Sequence, residues 1–194
     1  MFAIPLMTPS ILRISLLLCL AVSTLLSGCT TSGSNTSWTK FSDAGAGFEA
    51  LLPGTPTKEP IAVQREGITI SGFAFKLTVE DSRATGGYTL SYVDLPPEAA
   101  ETEASLDGMV VGAYNKIGIG QFLFKRLSTF AGHKSVEYQW KENGKTIVYT
   151  GRIFVASNRL YQAIAALPLT QHANGDADKF LQSFQMLRSV PANG

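Results

Sequence analysis

The sequence predicts an α+β domain, an antiparallel sheet of about six to eight strands sandwiched between two helices. Three observations lead there. Residues 133–156 alternate polar and apolar side chains around an Asn143-Gly144 pair. The strands in that stretch carry apolar residues on both faces. Two other stretches, 103–117 and 176–184, repeat apolar residues at helical spacing.

The strand group comes first. Val136, Tyr138 and Trp140 alternate with Glu137, Gln139 and Lys141. Asn-Gly between alternating segments is the strongest short hairpin signal, because a type I′ turn needs positive φ at both central residues. A turn at Asn143-Gly144 pairs Trp140 with Ile147, Tyr138 with Tyr149 and Val136 with Gly151, all on one face. A second turn at Ser157-Asn158 pairs Val155 with Leu160, Ile153 with Gln162 and Gly151 with Ile164. The opposite face then carries Phe154 against Tyr161, with Val148, Ala163 and Ala165 nearby. A sheet covered on one side alternates more cleanly than this, so cover is expected on both faces.

Two helices are expected to supply it. In 103–117, Leu106, Met109, Val110, Ala113 and Ile117 form one apolar stripe. Pro96 and Pro97 precede it, and Gly118 and Gly120 stop it. Gly108 and Gly112 each cost about 1 kcal/mol relative to alanine, so tertiary packing must hold this helix. In 176–184 the stripe is Ala177, Phe180, Leu181 and Phe184, with Asn174 or Asp176 as its cap. Further strands are expected at 47–52, 61–64, 68–77, 88–93 and 121–130.

The N-terminal region reads differently. Of the 194 residues 16 % are charged, which is low for a soluble protein. Arg13 is the only charged group in 1–28, and the apolar run 14–26 follows it. A positive charge, a short apolar run and then small residues is the layout of a secretory signal. The alternative is a membrane-spanning helix, but that needs about 20 apolar residues. Arg13 and the polar stretch 30–37 block extension at either end.

The run closes on Leu26-Ser27-Gly28-Cys29, which resembles the lipobox of bacterial lipoproteins. The resemblance covers all four positions. It implies recognition of Leu26, Ser27 and Gly28 by the signal peptidase, and lipid on the sulfur of Cys29. The alternative is ordinary cleavage near Gly28, leaving a bare thiol. Cys19 lies in the removed segment, so no internal disulfide is open to Cys29. A lone exposed thiol on an exported protein is a liability that a thioether removes. One acyl chain binds a bilayer reversibly at about 0.8 kcal/mol per methylene, and two or three hold firmly. Thr30, rather than aspartate, follows the cysteine. In that family this implies a bacterial cell envelope protein on the outer membrane, facing the periplasm. The opening MFAIPLMTP departs from the usual basic start of such signals.

The expected organisation is a signal peptide over 1–28, a lipidated cysteine and flexible tether over 29–37, one domain over 38–188 and a tail over 189–194. The tether TTSGSNTS reaches about 16 Å as a flexible chain. Without Arg13, 15 basic residues balance 15 acidic ones. A neutral domain with no basic cluster argues against nucleic acid as a partner.

No residue set names a reaction. His133, beside a turn at Ala131-Gly132, and His172, in a loop before the second helix, lie far apart with no ligand spacing, so no metal is expected. There is no GxSxG elbow and no phosphate loop, and no cofactor is implied. Glu137 and Arg152 are expected as diagonal neighbours on adjacent strands. They form either a structural ion pair at a helix edge or a carboxylate poised for catalysis. Asp81, Arg83 and Asp94 read as loop charges. Tyr138, Trp140 and Tyr149 are either core or the lining of a ligand cleft.

Trp38…Phe41, the run Phe48-Glu-Ala-Leu-Leu-Pro-Gly-Thr-Pro56, Tyr88…Tyr92, Leu106-Asp-Gly108, Arg159-Leu-Tyr-Gln162 and Phe180-Leu-Gln-Ser-Phe184, in that order, resemble bacterial PsbP-like proteins. The resemblance spans about 38–188. Its superfamily includes the extrinsic photosystem II subunit, a Ran-binding nuclear import factor and small envelope lipoproteins. It implies an antiparallel sheet between helices and no shared chemistry, since members mostly bind or stabilise a protein. The leading expectation is therefore a lipid-anchored, non-catalytic protein-binding or assembly module, held to the membrane through Cys29. An envelope hydrolase acting on cell wall or lipid, and a carrier of a small apolar ligand, are the alternatives.

Overall fold

The structure, a computed structural model, describes residues 37–65, 68–81, 84–96 and 103–187. The signal peptide, the lipobox and most of the tether lie outside the described residues, as does the whole of the tail.

The chain runs β1 (Thr39–Asp43), β2 (Phe48–Leu52), β3 (Thr57–Arg65), β4 (Ile68–Asp81), β5 (Ala84–Asp94), α1 (Glu103–Ile117), β6 (Gly120–Phe130), β7 (His133–Glu142), β8 (Ile147–Ala156), β9 (Arg159–Pro168), α2 (Leu169–Ala173), α3 (Asp176–Ser183) and β10 (Gln185–Met186). Seven strands form one antiparallel sheet in the order β3-β4-β5-β9-β8-β7-β6. A separate sheet has the order β1-β2-β10. The protein is therefore mostly β, and two flanking helices do not describe it. The expectation placed 47–52 in the main sheet, but β2 leaves it to pair with β1 and β10.

The core lies in two layers. On one face Tyr88, Leu90, Phe154, Tyr161, Ala163, Ala165 and Leu167 pack under Phe48, Ala50 and Leu52 of β2 and Ala177, Phe180 and Leu181 of α3. The small sheet is thus half of the cover that was expected to be helical. The Phe48 ring joins the layers, edge to face with Phe75 at 5.5 Å and tilted against Phe184 at 5.4 Å. Ser183 ties them by hydrogen bonds. Its Oγ accepts from the Leu51 N–H at 2.8 Å and donates to the Phe180 carbonyl at 2.7 Å. On the other face Leu106, Met109, Val110 and Tyr114 of α1 cover Val136, Tyr138, Trp140, Ile153 and Leu160.

The two helices stand at the expected spans, with the expected stripes down in Leu106, Met109, Val110, Ala177, Phe180, Leu181 and Phe184. The cap of α3 differs. Gly175, at φ 82°, occupies the N-cap with no side-chain cap bond, so neither Asn174 nor Asp176 plays that part.

The Ser157-Asn158 turn forms as expected, with φ 50° and 59° and all three pairings in place. The Asn143-Gly144 hairpin is shifted. Trp140 faces Tyr149, Tyr138 faces Gly151 and Val136 faces Ile153. Only Gly144 takes positive φ, and the Lys145 N–H donates to the Glu142 carbonyl at 3.2 Å. The turn then runs on through Lys145 and Thr146 before β8 begins. A shift of two keeps every side chain on its face, so the pairs were misassigned while the faces were not.

Candidate binding surface

The seven-stranded sheet has two edges of different character. β3 is blunted. Pro60 removes one N–H from its middle, Lys58 bonds Asp43 at 3.0 Å, and Glu59 bonds Lys76 at 2.6 Å. Proline and fixed charges are how natural sheets discourage pairing at an edge.

β6 is bare by comparison. Its sequence, GQFLFKRLSTF, has no proline and no acidic residue. It pairs on one side with β7 and on the other with nothing among the described residues. A bulge between Phe122 and Phe124 leaves Leu123 without a partner, after which the ladder is regular to Phe130. Among the described residues Ile119 (83 % exposed), Leu127 (55 %), Leu123 (49 %) and Phe124 (39 %) account for four of the five large apolar residues open to solvent. Scattered apolar residues need no explanation, whereas a cluster marks an interaction surface.

Charges are fixed around this edge. Glu137 Oε2 accepts from Arg126 Nε and Nη2 at 2.9 and 2.6 Å, and its Oε1 accepts from Arg152 Nε and Nη2 at 3.1 and 2.8 Å. Burial alone pushes this carboxyl up; bonds and charge from the two arginines outweigh it and hold the pKa below its ordinary value. Arg152 Nη1 also reaches the Leu181 carbonyl of α3 at 3.1 Å, and its guanidinium lies 4.3 Å from the Phe130 ring. On the α1 side Lys125 Nζ pairs with Asp107 at 2.7 Å.

The structure brings some expected site residues together and leaves others apart. Glu137 and Arg152 are direct cross-strand partners rather than diagonal ones. A carboxylate locked ionised between two arginines fits a structural ion pair, not a group that exchanges protons near neutral pH. Tyr138 and Trp140 are core, 0 % and 2 % exposed. Tyr114, which the apolar stripe passed over, packs at a tilt on Trp140 at 4.9 Å and meets the Tyr138 hydroxyl at 3.1 Å. The Tyr149 ring completes the group, 5.7 Å from Tyr114. Burial raises the pKa of both Tyr138 and Tyr149. His172 stands in α2 rather than a loop, its Nε2 2.9 Å from Thr150 Oγ1. His133 stacks beside Phe154 at 6.4 Å. Among the described residues no three His, Cys, Asp or Glu side chains converge as a metal site demands. Asp94 ends β5 and binds Arg159 at 2.7 Å, so it is not a loop charge; Asp81 ends β4, and Arg83 lies outside the described residues. No helix among the described residues is long and apolar enough to cross a membrane. Leu26, Ser27, Gly28 and Cys29 lie outside the described residues.

The chain enters the domain far from β6. The Trp38 ring packs on Tyr88 of β5 at 5.6 Å and lies under Lys179 of α3 at 4.5 Å. From β5 to β6 is four strand spacings, about 19 Å.

No family model matches the chain, and no curated protein matches it in sequence. Among solved structures it is similar to the solution structure of cyanobacterial PsbP (CyanoP) from Synechocystis sp. PCC 6803. The two superpose with a TM-score of 0.50 at 13 % identity, over 83 % of this chain and 98 % of that one. An identity this low speaks for the fold alone, and the fold is PsbP-like.

Proposed function

We propose that this protein is a lipid-anchored cell-envelope module that binds a protein partner through the β6 edge and catalyses no reaction. The observation that carries the reading is the cluster of exposed apolar side chains on that edge, set against a blunted opposite edge. A PsbP-like fold fits an accessory or binding module. The lipobox resemblance at Leu26-Ser27-Gly28-Cys29 supports the anchor, with the protein on the outer membrane facing the periplasm.

The geometry suits such a role. With the tether entering beside β5 and α3, β6 stands at the other side of the sheet, clear of the attachment point. The hydrolase alternative has no support in Glu137, which two arginines hold ionised. The carrier alternative has none in Tyr138 and Trp140, which pack into the core.

The test is co-purification from mild detergent extracts. A defined protein should accompany the wild-type chain and be lost with Leu127→Lys, at unchanged thermal stability. A partner retained at full level by both Leu127→Lys and Ile119→Lys contradicts the reading.

A further inference from the structure

Resting on that reading, we infer that β6 recruits its partner by strand addition, and that the incoming segment is an extended stretch alternating apolar residues with aspartate or glutamate. An edge strand presents unpaired backbone N–H and C=O groups at alternate residues, and a partner strand satisfies them. The bulge at Leu123 interrupts the ladder, so the regular edge is 124–130. Those seven residues fall within the ordinary strand length of about 3–10.

Charge selects the occupant. Every ionisable residue on β6, Lys125 and Arg126, is basic. Next to them Arg126 and Arg152 share one carboxylate, Glu137. That triad keeps a net positive charge, and Arg126 is its exposed end at 68 %. Lys125 is paired with Asp107, but a second copy of this chain, paired antiparallel through β6, would still bring two of these net-positive arginine clusters together along one short edge. Like charges across a ladder destabilise it. An acidic strand meets the same groups with the opposite sign. Apolar positions in that strand would pack beside Leu127 on the α1 side, and its acidic positions would meet Arg126 on the other, because Leu127 and Arg126 sit on opposite faces of β6.

The test uses the full-length chain in mild detergent, with backbone amides observed by NMR. The probes are synthetic peptides of about eight residues alternating valine with glutamate, the same peptide with lysine for glutamate, and the glutamate peptide with alternate backbone amides N-methylated. The glutamate peptide should shift and protect the β6 amides and bind roughly fivefold or more tightly than the lysine peptide. N-methylation, which keeps the side chains but blocks the ladder, should abolish binding. Arg126→Glu should reverse the preference between the glutamate and lysine peptides. Equal binding of both peptides, survival of binding after N-methylation, shifts confined to other strands, or self-association through β6 would each overturn the inference. Absence of peptide binding alongside partner loss in Leu127→Lys overturns strand addition alone; absence of both overturns the protein-binding reading with it.

Discussion

Glu137 and Arg152 face each other across β7 and β8, with Oε1 2.8 Å from Nη2, and Arg152 hands on a further bond to the Leu181 carbonyl of α3. One ion pair thereby links the sheet to the helix that covers it. Arg152→Met should cost about 1–3 kcal/mol in urea unfolding, since it leaves a half-buried carboxylate and a helix-terminal carbonyl short of a donor. Arg126→Ala, at the exposed end of the same cluster, should cost under about 1 kcal/mol.

The same pair sets a pH dependence. The carboxyl of Glu137 is held below its ordinary value of 4.5 in the folded protein. Its contribution to stability is therefore present above that value and is lost as pH falls through the lower, folded one. The stability gap between wild type and Arg152→Met should be full at neutral pH and close progressively below 4.5. A gap that widens on acidification would show that the carboxylate is not what Arg152 serves.

Gly151 faces Tyr138 at the centre of the sheet, and a Cβ there would land on the phenol ring. Tyr138 is fully buried and its hydroxyl bonds Tyr114 and Gln162, so the ring has nowhere to retreat. Gly151→Ala should lower stability by about 1–3 kcal/mol through overpacking. Gly132→Ala tests a separate cost, because nothing surrounds that glycine and only its φ of 82° opposes a side chain. It should lose about 1 kcal/mol.

The lipid proposal makes its own prediction. Cys29→Ser should remove lipid from the mature N-terminus, detected by mass analysis, and leave precursor or a soluble form. Its thermal unfolding should match the wild type, because the described domain begins beyond the tether. A bare thiol on the wild-type N-terminus would end the lipoprotein reading.

Local pattern carried far into this fold and then stopped. The β8–β9 register was legible because Ser157 and Asn158 both accept positive φ and make a minimal turn. The β7–β8 register was not, because two residues beyond Gly144 extend the loop, and side-chain alternation is blind to a shift of two. β1 and β10 were missed for want of signal. TKFSD contains one large apolar residue, and Gln185–Met186 is too short for any period. The candidate surface was hidden for another reason. Phe122, Leu123, Phe124 and Leu127 read like any buried strand, and only the non-local order of the sheet puts β6 at its rim.

The central claim is that β6, and not β3, meets the partner. Site-specific photo-crosslinking in intact cells tests it directly, with the photoreactive residue placed at Leu127 on β6 or at the exposed Ala62 on β3. The account predicts a discrete adduct from position 127 and none from position 62. An adduct from 62 with none from 127 would contradict it.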